Sequence, residues 1–185
     1  MKRFTVLAVA AAAITMMPAM PSAAEESRSA APAATLRASL DRLKVEAIAA
    51  RDPEDPGRYI AALYIPGSQL LVVSAPYAAP AVLDKKIAEG KYMDAYVDMQ
   101  SVADHKGHFF VVDMNADGLT RICGLEQAFD STTVESATPI AFDGNWKAQR
   151  LSQDDYDAAF RTNDERYARM LGVLTAALAR KTTMP

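Results

Sequence analysis

The stretch "RYIAALYIPGSQLLVVSA", residues 58–75, constrains the fold more than any other part of the chain. Residues 59–65 and 69–75 are β-branched and apolar, and Pro66-Gly67-Ser68 stands between them. Two such runs around a turn predict neighbouring antiparallel strands. Pro followed by Gly suits a type II turn, whose twist matches a hairpin less well than the primed turns, so a loop slightly longer than two residues is expected. Neither run alternates with polar residues. Strands apolar on both faces belong in the middle of a sheet, with a further layer covering each side.

The rest of the chain supplies candidates for those layers. Leu36, Leu40, Leu43 and Ala47–Ile48 recur at helical spacing from Thr35 onward. "RDPEDPG", residues 51–57, cannot continue a helix, because two prolines and a glycine break it. Pro80 to Gly90 has the punctuation of a short helix, with Leu83 and Ile87 on one face. "KYMDAYVDM" alternates: Met93, Ala95, Val97 and Met99 fall on one face, and Tyr92, Asp94, Tyr96 and Asp98 on the other, the pattern of a half-buried strand. "HFFVVDM" reads as another strand, with "LTRICGL" as its partner across an Asp-Gly turn. Glu126 to Pro139 is polar and aperiodic, hence a loop, and "IAF" is a short strand before Asp143-Gly144.

The C-terminal helix has the clearest ends. Ser152 is an N-cap, Asp155 stands three residues later in a variant of the capping box, and Leu151 and Tyr156 are placed for a hydrophobic staple. Acidic residues open it and Arg180-Lys181 close it, complementing the helix dipole. Tyr156, Phe160, Tyr167, Met170, Leu171, Leu174 and Leu178 form its apolar stripe, so the helix is predicted over about Gln153 to Arg180.

These elements predict an α+β domain: an antiparallel sheet of about five strands with an N-terminal helix, a short middle helix and a long C-terminal helix packed on it. The order α-β-β-α-β-β-β-α resembles that of the roadblock and profilin-like domains, small domains that mainly bind partners. The resemblance lies in element order alone, covers most of the chain after residue 24, and carries no motif from which a functional residue could be transferred.

Residues 1–24 read as a secretory signal. Lys2 and Arg3 are followed by an uncharged apolar run from Phe4 to Met17, then Pro18, Pro21 and the small residues Ser22-Ala23-Ala24. The run is shorter than the roughly 20 residues that span a bilayer. No Cys follows it for lipid attachment, and no Arg-Arg pair marks a twin-arginine route. Cleavage between Ala24 and Glu25 would leave 161 of the 185 residues, and removing Lys2 and Arg3 takes the net charge from −3 to −5. Glu25 to Ala34 is small and polar, and is expected to form a disordered mature N-terminus ahead of a single domain over 35–185. A mildly acidic exported domain is a poor match for nucleic acid, which needs clustered Lys and Arg. Cys123 is the sole cysteine, so no intramolecular disulfide forms and the fold rests on packing. No segment after residue 24 is apolar enough to span a membrane.

Chemistry is hinted at in "FFVVDMNADGLTRI", residues 109–122, which contains D-x-N-x-D-G. Asp113, Asn115 and Asp117 take positions 1, 3 and 5 of a calcium loop, and Gly118 the turn at position 6. Position 12, where an EF-hand needs Glu, is Gly124, Glu126 comes two residues late, and the preceding residues are strand-like, so the EF-hand is rejected. The preferred reading is a hairpin turn, since Asn, Asp and Gly tolerate positive φ and Asp bonds nearby amides. A calcium loop flanked by strands is the alternative. His105 and His108, with Asp104, form an H-x-x-H in a loop that lacks a third ligand, and read as solvated loop residues before a metal or acid–base site. Cys123 on an apolar strand reads as a small buried hydrophobe before a nucleophile. Ser68 is explained by its turn. Tyr92 and Tyr96, with Asp94 and Asp98, form either a recognition face or a surface under the C-terminal helix. Trp146 reads as an anchor for the loop before that helix, with pocket lining as the alternative.

The chain is therefore read as an exported, periplasmic or secreted globular protein: a non-catalytic binding module for an unspecified protein or small molecule. No catalytic, cofactor or metal residue is assigned. The alternatives are a hydrolase-like enzyme whose site gathers sequence-distant Asp and His residues, and a domain stabilised by calcium at Asp113, Asn115 and Asp117.

Overall fold

A computed structural model describes residues 27–76, 89, 109–121, 127–130 and 140–183. The short helix expected at Pro80–Gly90 and the strand expected at 92–99 lie outside these, apart from Glu89. The described elements are α1 (Ala30–Leu43), β1 (Ala47–Arg51), β2 (Arg58–Ile65), β3 (Gln69–Pro76), β4 (Phe109–Met114), β5 (Gln127–Asp130), β6 (Ile140–Ala141) and α2 (Gln153–Thr183). The fold is α+β. The strands form one antiparallel sheet in the order β1-β2-β3-β4-β5-β6, four well-formed strands extended by the short β5 and β6.

The apolar hairpin is interior, as its composition requires. Its loop holds Pro66-Gly67-Ser68 between the paired Ile65 and Gln69. Ser68 N–H donates to the Ile65 carbonyl at 3.0 Å, and Gly67 at φ 70° occupies the position where a type II turn needs positive φ. Register then sorts the side chains. Ile48, Ala62, Val72 and Val111 form one row across β1 to β4, and Ala50, Ile60, Ser74 and Phe109 the next. The apolar residues of both rows join the two helices in the core. A third row runs Tyr64, Leu70, Asp113, so the pleat itself turns one carboxylate toward the helices. The opposite sheet face, including Leu63, Leu71, Val73, Ala75 and Phe110, is buried as well.

Three local outcomes differ from the sequence reading. First, α1 begins at Ala30, inside the segment 25–34 expected to lack structure. Ser29 stands at its N-cap, and Pro32 sits in the first turn, where its missing N–H removes no helical bond. Second, α1 ends at Leu43, and Ala47–Ile48 lie in β1 rather than in the helix. "AIAAR" suits either state, and pairing of Ala47–Arg51 with Leu63–Tyr59 decides for the strand. Third, Leu119–Arg121 is not strand, and β4 pairs instead with β5, inside the stretch 126–139 read as a loop. Residues 122–126 lie outside the described set.

Helix α2 follows its sequence signals. The Ser152 Oγ accepts from Asp155 N–H at 3.1 Å and donates to the Asp155 carboxylate at 2.6 Å. All seven residues of the expected stripe are buried, and Phe142 meets Tyr156 and Phe160 edge-on at 5.9 and 5.1 Å. α2 packs on α1, β1 and β2. No helix among the described residues is long and apolar enough to cross a membrane.

Candidate functional site

The D-x-N-x-D-G loop turns back through residues of left-handed conformation: Asn115 at φ 67°, Ala116 at 52° and Gly118 at 94°. Asp113 ends the third core row and is fully buried. Its Oδ1 accepts from Asp117 N–H at 3.1 Å, and its Oδ2 from Gly118 N–H at 3.0 Å and the Tyr167 hydroxyl at 2.8 Å. One carboxylate thus folds its own loop and fastens it to α2. Asn115 N–H donates to the Ser68 carbonyl at 2.7 Å, and the Arg37 guanidinium donates to the Asn115 carbonyl at 2.9 Å. The loop is held by the β2–β3 turn on one side and by α1 on the other.

The start of α1 lies directly on Gly118. A Cβ placed there would come within 2.5 Å of the Ala30 nitrogen and 2.6 Å of its Cα, so glycine is required for both conformation and space. The Ser29 hydroxyl accepts from Leu119 N–H at 2.8 Å. On the other side Asp164 of α2, 3% exposed, takes three donors from the same segment: the Ser27 hydroxyl at 2.9 Å, Arg28 N–H at 2.6 Å and Ser29 N–H at 3.1 Å. The Arg28 and Ser29 amides just ahead of α1 are thereby met by a carboxylate at the positive end of its dipole. Arg28 adds an exposed ion pair with Glu165 at 3.1 Å.

A third buried carboxylate ties the far end of the sheet. Asp52, 1% exposed, follows β1, and Arg169 of α2 grips both its oxygens at 2.9 and 2.7 Å. Asp52 also accepts from Glu54 N–H at 3.0 Å, and Arg169 reaches Glu54 at 3.1 Å. The Arg169 hydrogen bonds hold the Asp52 carboxyl below its ordinary range against the cost of burial. Asp113 goes the other way: burial pushes it up to about 6, against the pull of Tyr167 and the two loop amides.

Of the residues singled out in the sequence, Asp113, Asn115 and Asp117 share one loop, with Asp113 turned inward and Asp117 exposed. Among the described residues no group of three His, Cys, Asp or Glu side chains stands together. His105, His108, Asp104, Cys123, Tyr92, Tyr96, Asp94 and Asp98 lie outside the described residues. Trp146 is half-buried against the core, with the Lys147 ammonium 5.1 Å from its ring centre, and its carbonyl accepts from Gln149 and Leu151 amides before α2.

The sequence reading missed Asp52, Asp164 and Arg169, and gave Tyr167 only a packing role. Asp164 had a readable signal, since it lies four residues after Phe160 and three before Tyr167, on the apolar stripe itself. A carboxylate there needs buried donors. No protein-family model, curated protein or solved structure matches the chain.

Proposed function

We propose that the chain is an exported small domain that binds a partner or small molecule without transforming it. One observation carries the non-catalytic part. The buried carboxylates Asp52, Asp113 and Asp164 spend their oxygens on donors from the chain itself, joining the start of α1, the β4 loop and α2 into one frame. Such groups build a rigid scaffold, and rigid scaffolds present binding surfaces on the segments they position. Export rests on the leader-like residues 1–24 and the −5 charge that remains after them.

Two measurements test this. Fractionation of cells expressing the full chain, followed by intact-mass analysis, should find a periplasmic species beginning at Glu25, and an unprocessed cytoplasmic chain contradicts export. Thermal melting against a panel of solutes and hydrolase substrates should give stabilisation without turnover. Turnover that disappears in His105→Ala or His108→Ala would move the assignment to a hydrolase. Equal melting with calcium and with a chelator is expected, and a calcium-dependent rise lost in Asp117→Asn would favour the calcium-stabilised domain.

A further inference from the structure

The end of α1 shows a feature that the structural ties do not use. A cleft of about 280 Å³ opens between the last turn of α1, the connection from α1 to β1, and the end of β2 with its turn. Leu40, Val45, Tyr64 and Pro66 supply its apolar part, and Asp41, Lys44 and Glu46 its charges. Tyr64 is 4% exposed, so its ring forms a buried wall of the cleft. Lys44 and Glu46 are exposed.

The backbone at Lys44 adds a second observation. Lys44 sits at φ 53°, ψ 44°, the left-handed position after a helix that is ordinarily given to glycine. Its N–H reaches the Asp41 and Leu40 carbonyls, and Val45 N–H the Leu40 carbonyl at 3.0 Å, so the turn closes as it would with glycine. The Lys44 side chain, carried at this strained position, lines the cleft.

We propose that this cleft binds a small zwitterion bearing an apolar group, of the size of a free aliphatic amino acid. The ligand carboxylate pairs with Lys44. Its ammonium faces Glu46 and Asp41 at the negative end of the α1 dipole, and its apolar group lies against Leu40, Val45 and the Tyr64 ring. The proposal rests on the binding-domain reading and names a ligand class for it.

The test uses the mature chain from the periplasm and three probes: leucine, N-acetyl-leucine, which lacks the ammonium, and leucinamide, which lacks the carboxylate. Leucine should raise the melting temperature and titrate calorimetrically at one site. Each blocked probe should bind at least about tenfold more weakly, the loss of one charge-assisted contact. Lys44→Gly should melt higher without ligand, because strain is relieved, yet lose leucine binding by a similar factor, and Glu46→Gln should lose binding with its melting unchanged. Failure of leucine to bind, or equal binding in Lys44→Gly and Glu46→Gln, overturns the proposal. A different ligand found by the wider panel overturns the cleft assignment alone, whereas substrate turnover overturns the binding-domain reading beneath it.

Discussion

Asp52 and Asp113 are both buried beside α2, yet they solve the problem of a buried carboxylate in opposite ways. Asp52 meets a cation: the fork of Arg169 spans both oxygens, and the carboxyl is held low. Asp113 meets three uncharged donors, the amides of Asp117 and Gly118 and the Tyr167 hydroxyl, and burial pushes it up to about 6. The partner, and not depth alone, decides the sign of the shift. The consequences for stability oppose one another. Asp52, depressed on folding, stabilises above its unfolded value of 3.8, and that contribution is lost as pH falls through its lower folded value. Asp113, raised on folding, penalises the fold most above about 6, and the penalty is relieved as pH falls toward 3.8.

Substitutions around each carboxylate sharpen the contrast. The largest effect is expected from Gly118→Ala on the Asp113 side, where the added methyl meets the backbone of Ser29 and Ala30 in a left-handed turn. A loss of about 4 kcal/mol by denaturant unfolding is expected, and a loss below about 1 kcal/mol would mean that α1 does not bear on the loop. Arg169→Met comes next. It strands the Asp52 charge with only local backbone donors and should cost about 3 kcal/mol, the low end for a broken buried pair because Arg169 is one-third exposed. Salt should weaken the wild-type tie only slightly. Tyr167→Phe removes one neutral donor from Asp113 at nearly constant volume and should cost about 2 kcal/mol. It should also raise the Asp113 pKa further, since Tyr167 is the strongest influence opposing burial there. A Tyr167→Phe cost larger than that of Arg169→Met would invert the comparison.

The sequence made the Asp52 side harder to see than the Asp113 side. D-x-N-x-D-G identifies a loop in which Asp bonds its own amides, and those bonds at Asp117 and Gly118 are present. Nothing local in "RDPEDPG" says that Asp52 is gripped from 117 residues away, because that contact exists only once α2 crosses the sheet. The hairpin 58–76 and α2 were legible because their patterns are long and their turn and cap residues are specific. Helix α1 was legible in its middle and not at its ends. Its start is specified by Asp164 and Gly118, both distant, and its end carries Lys44 in place of the glycine that ordinarily marks a helix C-terminus. β1 was read as helix because alanines serve both states until β2 offers its ladder. The Asp164 tie was readable in principle from a carboxylate on an apolar stripe.

The central claim is that the buried carboxylates are structural ties whose character is set by their partners. Carbon-detected NMR titration of the aspartate carboxyls between pH 2 and 8 tests it most directly. Asp113 should titrate near 6 and Asp52 below its usual 3.8, and unfolding measured across the same range should follow the two opposed linkages. Two aspartates titrating together near 3.8, with amides of Ser29 and Gly118 exchanging as freely as a surface loop, would contradict the account.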